Sequence, residues 1–244
     1  MKVHTYRSAD ELAEAVARDI AEAIADKPDL VLGLPAGRTP IRIYREIAAL
    51  SRIRSLDWSR VRTFNLDEFV APPGPLSHPF RQFMHEHLLS LVNLAPAHMD
   101  SPDGNVTDLD AECRRYDRSI EDTGGLDLLL LGIGANGHIG FNEPAPELVA
   151  RTHVTALSDA SRAANAWLFG DDLDRVPTRA LTMGIATLLG ARRVILVATG
   201  ASKAAAVSAM VTGGVTAALP ASLLQLHADV TVVLDEPAAA HLAG

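Results

Sequence analysis

A histidine, two asparagines and a glutamate fall within eight positions, Asn136–Glu143, of the segment Gly132-Ile-Gly-Ala-Asn-Gly-His-Ile-Gly-Phe-Asn-Glu-Pro144. Such a set can move protons. An imidazole with an unperturbed pKa of ~6.5 takes and returns a proton near neutrality. Glu143, five residues after His138, can orient the ring and hold its charged form if the loop folds back. Asp67, in Phe64-Asn-Leu-Asp-Glu-Phe69, is a second candidate. A partly desolvated carboxylate at a rigid strand end is a general base with a raised pKa. Leu34-Pro-Ala-Gly-Arg-Thr-Pro40 suits an anion. A glycine-containing turn entering a helix presents free N–H groups at the positive end of the helix dipole. Pro35, Ala36 and Gly37 form that turn, and Arg38 and Thr39 add donors. The spacing is not that of a nucleotide P-loop. Lys203, in Thr199-Gly-Ala-Ser-Lys203, supplies a point positive charge. Each of these residues also has a plain reading: a turn cap, a structural histidine, an ordinary turn, a solvated lysine.

These residues need elements to position them. Leu126-Asp-Leu-Leu-Leu-Leu131 suits a fully buried strand of a parallel sheet, and the glycines after it release the chain into a tight loop. Similar junctions follow the strands expected at Asp29–Gly33, Val61–Leu66 and Arg193–Ala198. Further strands are expected at Val3–Tyr6 and Asp229–Leu234. Ser8 and Glu11 form a capping box before a helix that runs to about Ala25. Helices are also expected at Pro40–Leu50, Phe80–Val92, Leu109–Asp122, Arg162–Phe169, Arg179–Leu189 and Ala204–Val211. Ala71-Pro-Pro-Gly-Pro-Leu-Ser-His-Pro79 reads as a long loop and a candidate lid. Strand–helix alternation predicts an α/β fold: a Rossmann-like, open, mainly parallel sheet with helices on both faces. No linker divides the chain, so residues 1–244 are expected to form a single domain. In such a sheet the polar clusters Gly33–Thr39, Asp67-Glu68, Asn136–Glu143 and Gly200–Lys203 sit on one rim, beyond the carboxyl ends of the strands, where ligands bind.

Bulk properties narrow the classes. The chain has 244 residues, of which 48% are hydrophobic, in runs too short to span a membrane. A net charge of −8 with no basic cluster argues against nucleic acid as a partner. A single cysteine, Cys113, excludes an intrachain disulfide and fits a reducing cytoplasm. His85 and His87, two positions apart, cannot share a helix face as metal ligands, and no Cys/His spacing suggests zinc. Trp58 and Trp167 read most simply as core or interface residues. The apolar Ala204–Val211 suits either the core or a contact in a homo-oligomer.

Gly-Leu-Pro-Ala-Gly-Arg-Thr-Pro at 33–40, Phe-Asn-Leu-Asp-Glu-Phe at 64–69 and the loop at 132–144 together resemble the glucosamine-6-phosphate deaminases. Arg151-Thr, Val176-Pro-x-x-Ala-Leu-Thr-Met-Gly184, Leu226-His and Asp235-Glu-Pro237 match as well. The resemblance covers nearly the whole chain. The related 6-phosphogluconolactonases share the Gly-x-Gly-x-x-Gly-His core but diverge after the histidine. The resemblance implies a hydrolase-class deaminase/isomerase that converts glucosamine 6-phosphate to fructose 6-phosphate and ammonia, with no metal or redox cofactor. It gives Asp67 the C2 proton of the opened sugar for delivery to C1. It gives His138 the opening of the pyranose ring and Glu143 the support of His138. The phosphate falls to the 34–39 loop and Lys203.

Several positions depart from the family pattern. Asn136 stands where many members have Asp; it accepts a hydrogen bond but brings no charge. Trp167 stands where the pattern has a phosphate-binding Arg, and Arg38 where Gly or Ser is usual. Arg38 is therefore expected to supply the missing guanidinium from the opposite side of the site. Pro79-Phe80 replaces the usual Ser-Tyr. His153 and Thr155 stand at basic positions of allosterically activated members, so no activation by N-acetylglucosamine 6-phosphate is expected. The alternatives are a deaminase for another amino-sugar phosphate such as galactosamine 6-phosphate, a lactonase-like hydrolase and a non-catalytic sugar-phosphate sensor.

Overall fold

A computed structural model describes residues 1–72 and 77–242. The chain begins with β1 (Lys2–Tyr6), α1 (Ala9–Asp26), β2 (Val31–Leu34), α2 (Arg38–Arg54), β3 (Arg62–Asn65), β4 (Asp67–Phe69) and α3 (Pro79–His87). It continues with β5 (Met99–Asp100), α4 (Leu109–Asp122), β6 (Leu128–Gly132), β7 (His153–Ala156), α5 (Asp159–Asn165) and β8 (Arg179–Thr182). The last elements are α6 (Ile185–Leu189), β9 (Arg193–Ala198), α7 (Ala204–Thr212), β10 (Val230–Asp235) and α8 (Glu236–Ala239). The centre of the loop expected at Ala71–Pro79, residues 73–76, lies outside the described residues.

Seven strands form one parallel sheet in the order β1-β10-β9-β6-β2-β3-β5. From β2 the chain adds β3 and β5 on one side. From β6 it adds β9 and β10 on the other. The winding therefore reverses between β2 and β6, the place where an open α/β sheet leaves a crevice beyond its strand ends.

The apolar strands are buried on both faces, as their composition requires. Along β6, Leu128 and Leu130 face α1 and α2, packing with Leu12, Ile20, Ile43 and Ile47. Leu129 and Leu131 face the other side, with Tyr116 of α4, Leu188 of α6 and Met210 of α7. Each such side chain contributes about 1.5–3 kcal/mol relative to exposure. Helix α1 starts where the capping box places it. Ser8 Oγ accepts from Glu11 N at 3.2 Å, and Glu11 Oε2 accepts from Arg7 N at 3.2 Å. Leu12, Val16, Ile20 and Ile24 make its buried stripe. Helix α7 likewise turns Ala206, Val207 and Met210 into the core.

Local pattern misleads at three places. Arg179–Thr182, expected as helix, is strand β8, and helix occupies only Ile185–Leu189. The helix expected to reach Val92 ends at His87. Asp67 does not end the strand before it but opens β4, in a separate antiparallel sheet ordered β4-β8-β7. That sheet pairs Asp67 with Thr182 and His153 with Thr182. The first pairing spans 115 positions and the second 29, separations at which hydrophobic period carries no information.

Candidate active site

The crevice between β2 and β6 encloses about 460 Å³. Pro35, Ala36, Gly37, Arg38 and Thr39 line it after β2, and Asp67 after β3. Asn136 and His138 enter after β6, Lys203 after β9, and Trp167 from the turn that follows α5. The four polar clusters do share one rim. Glu143 stands behind His138 rather than on the wall.

Asp67 is 8% exposed and sits beside Leu66, Phe80 and Phe141 in the crevice. Burial, aided by repulsion from Glu68, pushes its carboxyl up to about 8. Gly140, at φ +57, lies near this carboxylate: a Cβ there would stand 3.9 Å from Asp67 Oδ2. Glu68 is fully buried and accepts from three backbone N–H groups. Phe69 N lies at 3.0 Å, Phe80 N at 3.1 Å and Arg81 N at 3.0 Å. Phe80 and Arg81 belong to the first turn of α3, whose N-cap His78 makes no side-chain cap. Glu68 thus caps a helix from another strand. Burial still pushes it up to about 7 against those donors.

His138 lies flat on the backbone. A Cβ at Gly134 would meet its ring at 2.3 Å, so glycine is required there. His138 N donates to Asn136 Oδ1 at 3.2 Å, which sets the turn. His138 Nδ1 is 3.4 Å from Glu143 Oε2. That is ion-pair range, but Nδ1 is buried without a formed hydrogen bond. The same Oε2 accepts from Asn136 Nδ2 at 2.7 Å. Glu143 Oε1 accepts from Ser158 Oγ at 3.0 Å and from Ser161 Oγ. Burial pushes Glu143 up, but His138, Ser161 and Asn136 outweigh it and hold the carboxyl at about 2. The loop is pinned elsewhere by Asn142 Nδ2, which donates to Ile139 O at 3.0 Å and Met183 O at 2.9 Å. Thr182 Oγ1 accepts from Phe141 N at 3.1 Å.

At the other end, α2 begins after Gly37, whose φ is +135 and which offers no side-chain cap. Its first N–H groups are left for a ligand. Lys203 is half-buried and pulled below the usual lysine range by that burial. An anion beside it would favour its charged form. Arg38 Cζ stands 5.5 Å from the centroid of the Trp167 ring, within cation–π range. Arg38 therefore rests on Trp167 rather than facing it across the crevice. Phe83 packs edge-on to Trp167 at 6.1 Å and fixes the indole.

The motif reading misses Glu68 as a helix cap and Ser158 and Ser161 as partners of Glu143. Ser158-x-x-Ser161 was a visible signal. Ser158 is the N-cap of α5 and accepts from Ser161 N at 3.1 Å, so the helix begins three residues before the expected Arg162.

Fold and crevice define an α/β protein whose rim gathers a buried carboxylate, an imidazole–carboxylate pair and an anion cradle. Residues 5–233 match the model of the family described as glucosamine-6-phosphate isomerases/6-phosphogluconolactonase, and the chain belongs to that family. A glucosamine-6-phosphate deaminase of Bacillus velezensis is 45% identical over 239 residues, covering 98% of this chain and 99% of that one. Glucosamine-6-phosphate deaminase 2 of Giardia intestinalis is 45% identical over 97% of this chain and 90% of its own. The structure of a protein described as a monomeric glucosamine-6-phosphate deaminase superposes with a TM-score of 0.94 at 41% identity, covering 99% of this chain and 100% of that one. A 6-phosphogluconolactonase of Trypanosoma brucei shares the fold, with a TM-score of 0.76 at 22% identity. Among the described residues no helix is long and apolar enough to cross a membrane.

Proposed function

We propose that this chain is an enzyme that converts glucosamine 6-phosphate to fructose 6-phosphate and ammonia. One observation carries the reading. A single crevice holds a buried carboxylate, an imidazole backed by a second carboxylate and, at the far end, an uncapped helix start beside a half-buried lysine. An aldose–ketose shift needs a base beside C2 and a separate acid–base group at the ring oxygen. The phosphate rests on Pro35–Thr39 and Lys203. His138 moves a proton at the ring oxygen to open the pyranose, with Glu143 orienting the imidazole and Asn136 setting the turn of the loop. Asp67 takes the C2 proton and returns it to C1, leaving an imine at C2. Water adds at C2 and the C–N bond breaks, releasing ammonia. Overall, one water is consumed; the carbon skeleton isomerises and the C–N cleavage is hydrolytic.

Burial and Glu68 raise Asp67 to about 8. The amino group of the substrate, when protonated, lies next to C2 and favours the ionised carboxylate, so substrate itself readies the base. The site draws on residues from Pro35 to Lys203, which supports a single catalytic domain. Trp167 favours one second reading, a different epimer such as galactosamine 6-phosphate, because it reshapes the wall and leaves the proton-transfer groups untouched. The test is ammonia release measured together with ketose phosphate from each amino sugar, with Asp67→Asn as control. The account expects equal amounts of both products from glucosamine 6-phosphate and none in the control. No turnover of either sugar by folded protein contradicts it.

A further inference from the structure

Glu143 is the node at which two parts of the crevice meet. Its Oε2 serves the catalytic loop, accepting from Asn136 Nδ2 at 2.7 Å and standing 3.4 Å from His138 Nδ1. Its Oε1 serves α5, accepting from Ser158 Oγ at 3.0 Å and from Ser161 Oγ. Ser161 is 3% exposed, so its hydroxyl is held inside the fold. Among the described residues, His138 is the titratable group within ion-pair reach of Glu143. The same helix and the turn after it form one wall of the crevice, through Ala160, Ala164, Asn165 and Trp167. A carboxylate gripped at one oxygen cannot rotate freely about its terminal torsion. The serines therefore decide where the other oxygen points.

We propose that Ser158 and Ser161 are positioning residues. They clamp Oε1 of Glu143 so that Oε2 faces His138, and they join the substrate-contacting wall to the proton-transfer pair. This rests on the reading of His138 as the ring-opening group. A substrate that packs against Trp167 and Asn165 presses on α5, and the hydroxyls carry that displacement to Glu143. Asn136 competes with His138 for Oε2, so a small shift of Glu143 exchanges one donor for the other. Asn136 holds that oxygen at 2.7 Å while His138 stands off at 3.4 Å.

Ser161→Ala is the variant of choice, because Ser158 also caps α5 and its loss would loosen the helix. Ser161→Thr keeps the hydroxyl. The account expects kcat to fall about tenfold in Ser161→Ala with KM within about twofold, as displacing an orienting group does, and Ser161→Thr to recover most of it. Carboxyl 13C chemical shifts of Glu143 supply a readout that needs no turnover. In Ser161→Ala the Glu143 titration moves upward by about one pH unit, the scale of losing one hydrogen bond to the charged form. If wild-type protein turns over no amino-sugar phosphate, the functional reading fails and the titration still decides the clamp. An unmoved Glu143 titration overturns the clamp. So does a Ser161→Thr variant as impaired as Ser161→Ala, or a loss confined to KM.

Discussion

At the scale of single residues, Asp67 and Glu143 show one side chain type in two environments. Asp67 is buried against apolar walls and keeps its proton to about pH 8, while Glu143, gripped by donors, is held at about 2. One is a group that can take and return a proton; the other stays charged to support an imidazole. Arg38 and Trp167 meet at the other end of the crevice. The guanidinium over the indole, 5.5 Å from its centroid, borders both the N-terminus of α2 and the crevice. Arg38→Gly is expected to raise KM for the sugar phosphate about tenfold with kcat little changed, since a charge-assisted hydrogen bond contributes about 1.5–3 kcal/mol. Steady-state kinetics check this, and an unchanged KM contradicts the role. Asp67, Glu143 and Arg38 stood out as candidates in the sequence because their types announce chemistry; the contact of Arg38 with Trp167 did not. Ser158 and Ser161 did not, because a serine before a helix reads first as a cap.

Among elements, the parallel strands could be read from their own runs of apolar residues. Leu128–Leu131 is buried whichever face it presents. The small sheet could not. β4, β7 and β8 are three or four residues long, and their pairing is decided by partners far along the chain. Arg179-Ala-Leu-Thr182 carries no period that separates it from the helix after it. The consequence is functional, because β4 carries both Asp67 and Glu68. Glu68 reaches from this strand to the first turn of α3, and Phe80 of that turn stacks on Phe141 at 6.0 Å in the crevice wall. In Glu68→Gln, an amide N–H replaces one acceptor opposite a backbone N–H. A loss of about 1–3 kcal/mol is expected, with a weaker KM as Phe80 shifts. Thermal melts and kinetics together test it; a full-strength melt would show that α3 does not depend on this cap.

For the whole molecule, the site carries a stability cost that depends on pH. Asp67 and Glu68 bind protons in the folded state up to about 8 and about 7, but release them near 3.8 and 4.5 when unfolded. The folded chain then holds more protons, so stability falls as pH rises across that window. Glu143 acts in the opposite sense. Its folded value of about 2 lies below its ordinary 4.5, so its contribution is present above the ordinary value and lost as pH falls toward 2. The melting temperature is expected to be higher near pH 5.5 than at pH 8. Asp67→Asn should be the more stable protein at pH 8, by an amount that vanishes near pH 4. In a chain of this size about 1 kcal/mol moves Tm by roughly 2–4 °C. Equal melting of wild type and variant at pH 8 would mean that Asp67 is not desolvated. Such a gain at the expense of activity is the common trade at working sites.

One buried carboxylate, Asp67, is proposed to carry a proton from C2 to C1. The most direct measurement follows the label when glucosamine 6-phosphate deuterated at C2 is turned over. The account predicts a rate slowed by the isotope, and fructose 6-phosphate in which part of the deuterium has arrived at C1, since the crevice shields Asp67 from rapid exchange. Product formed at the unlabelled rate, with no deuterium at C1, would contradict it.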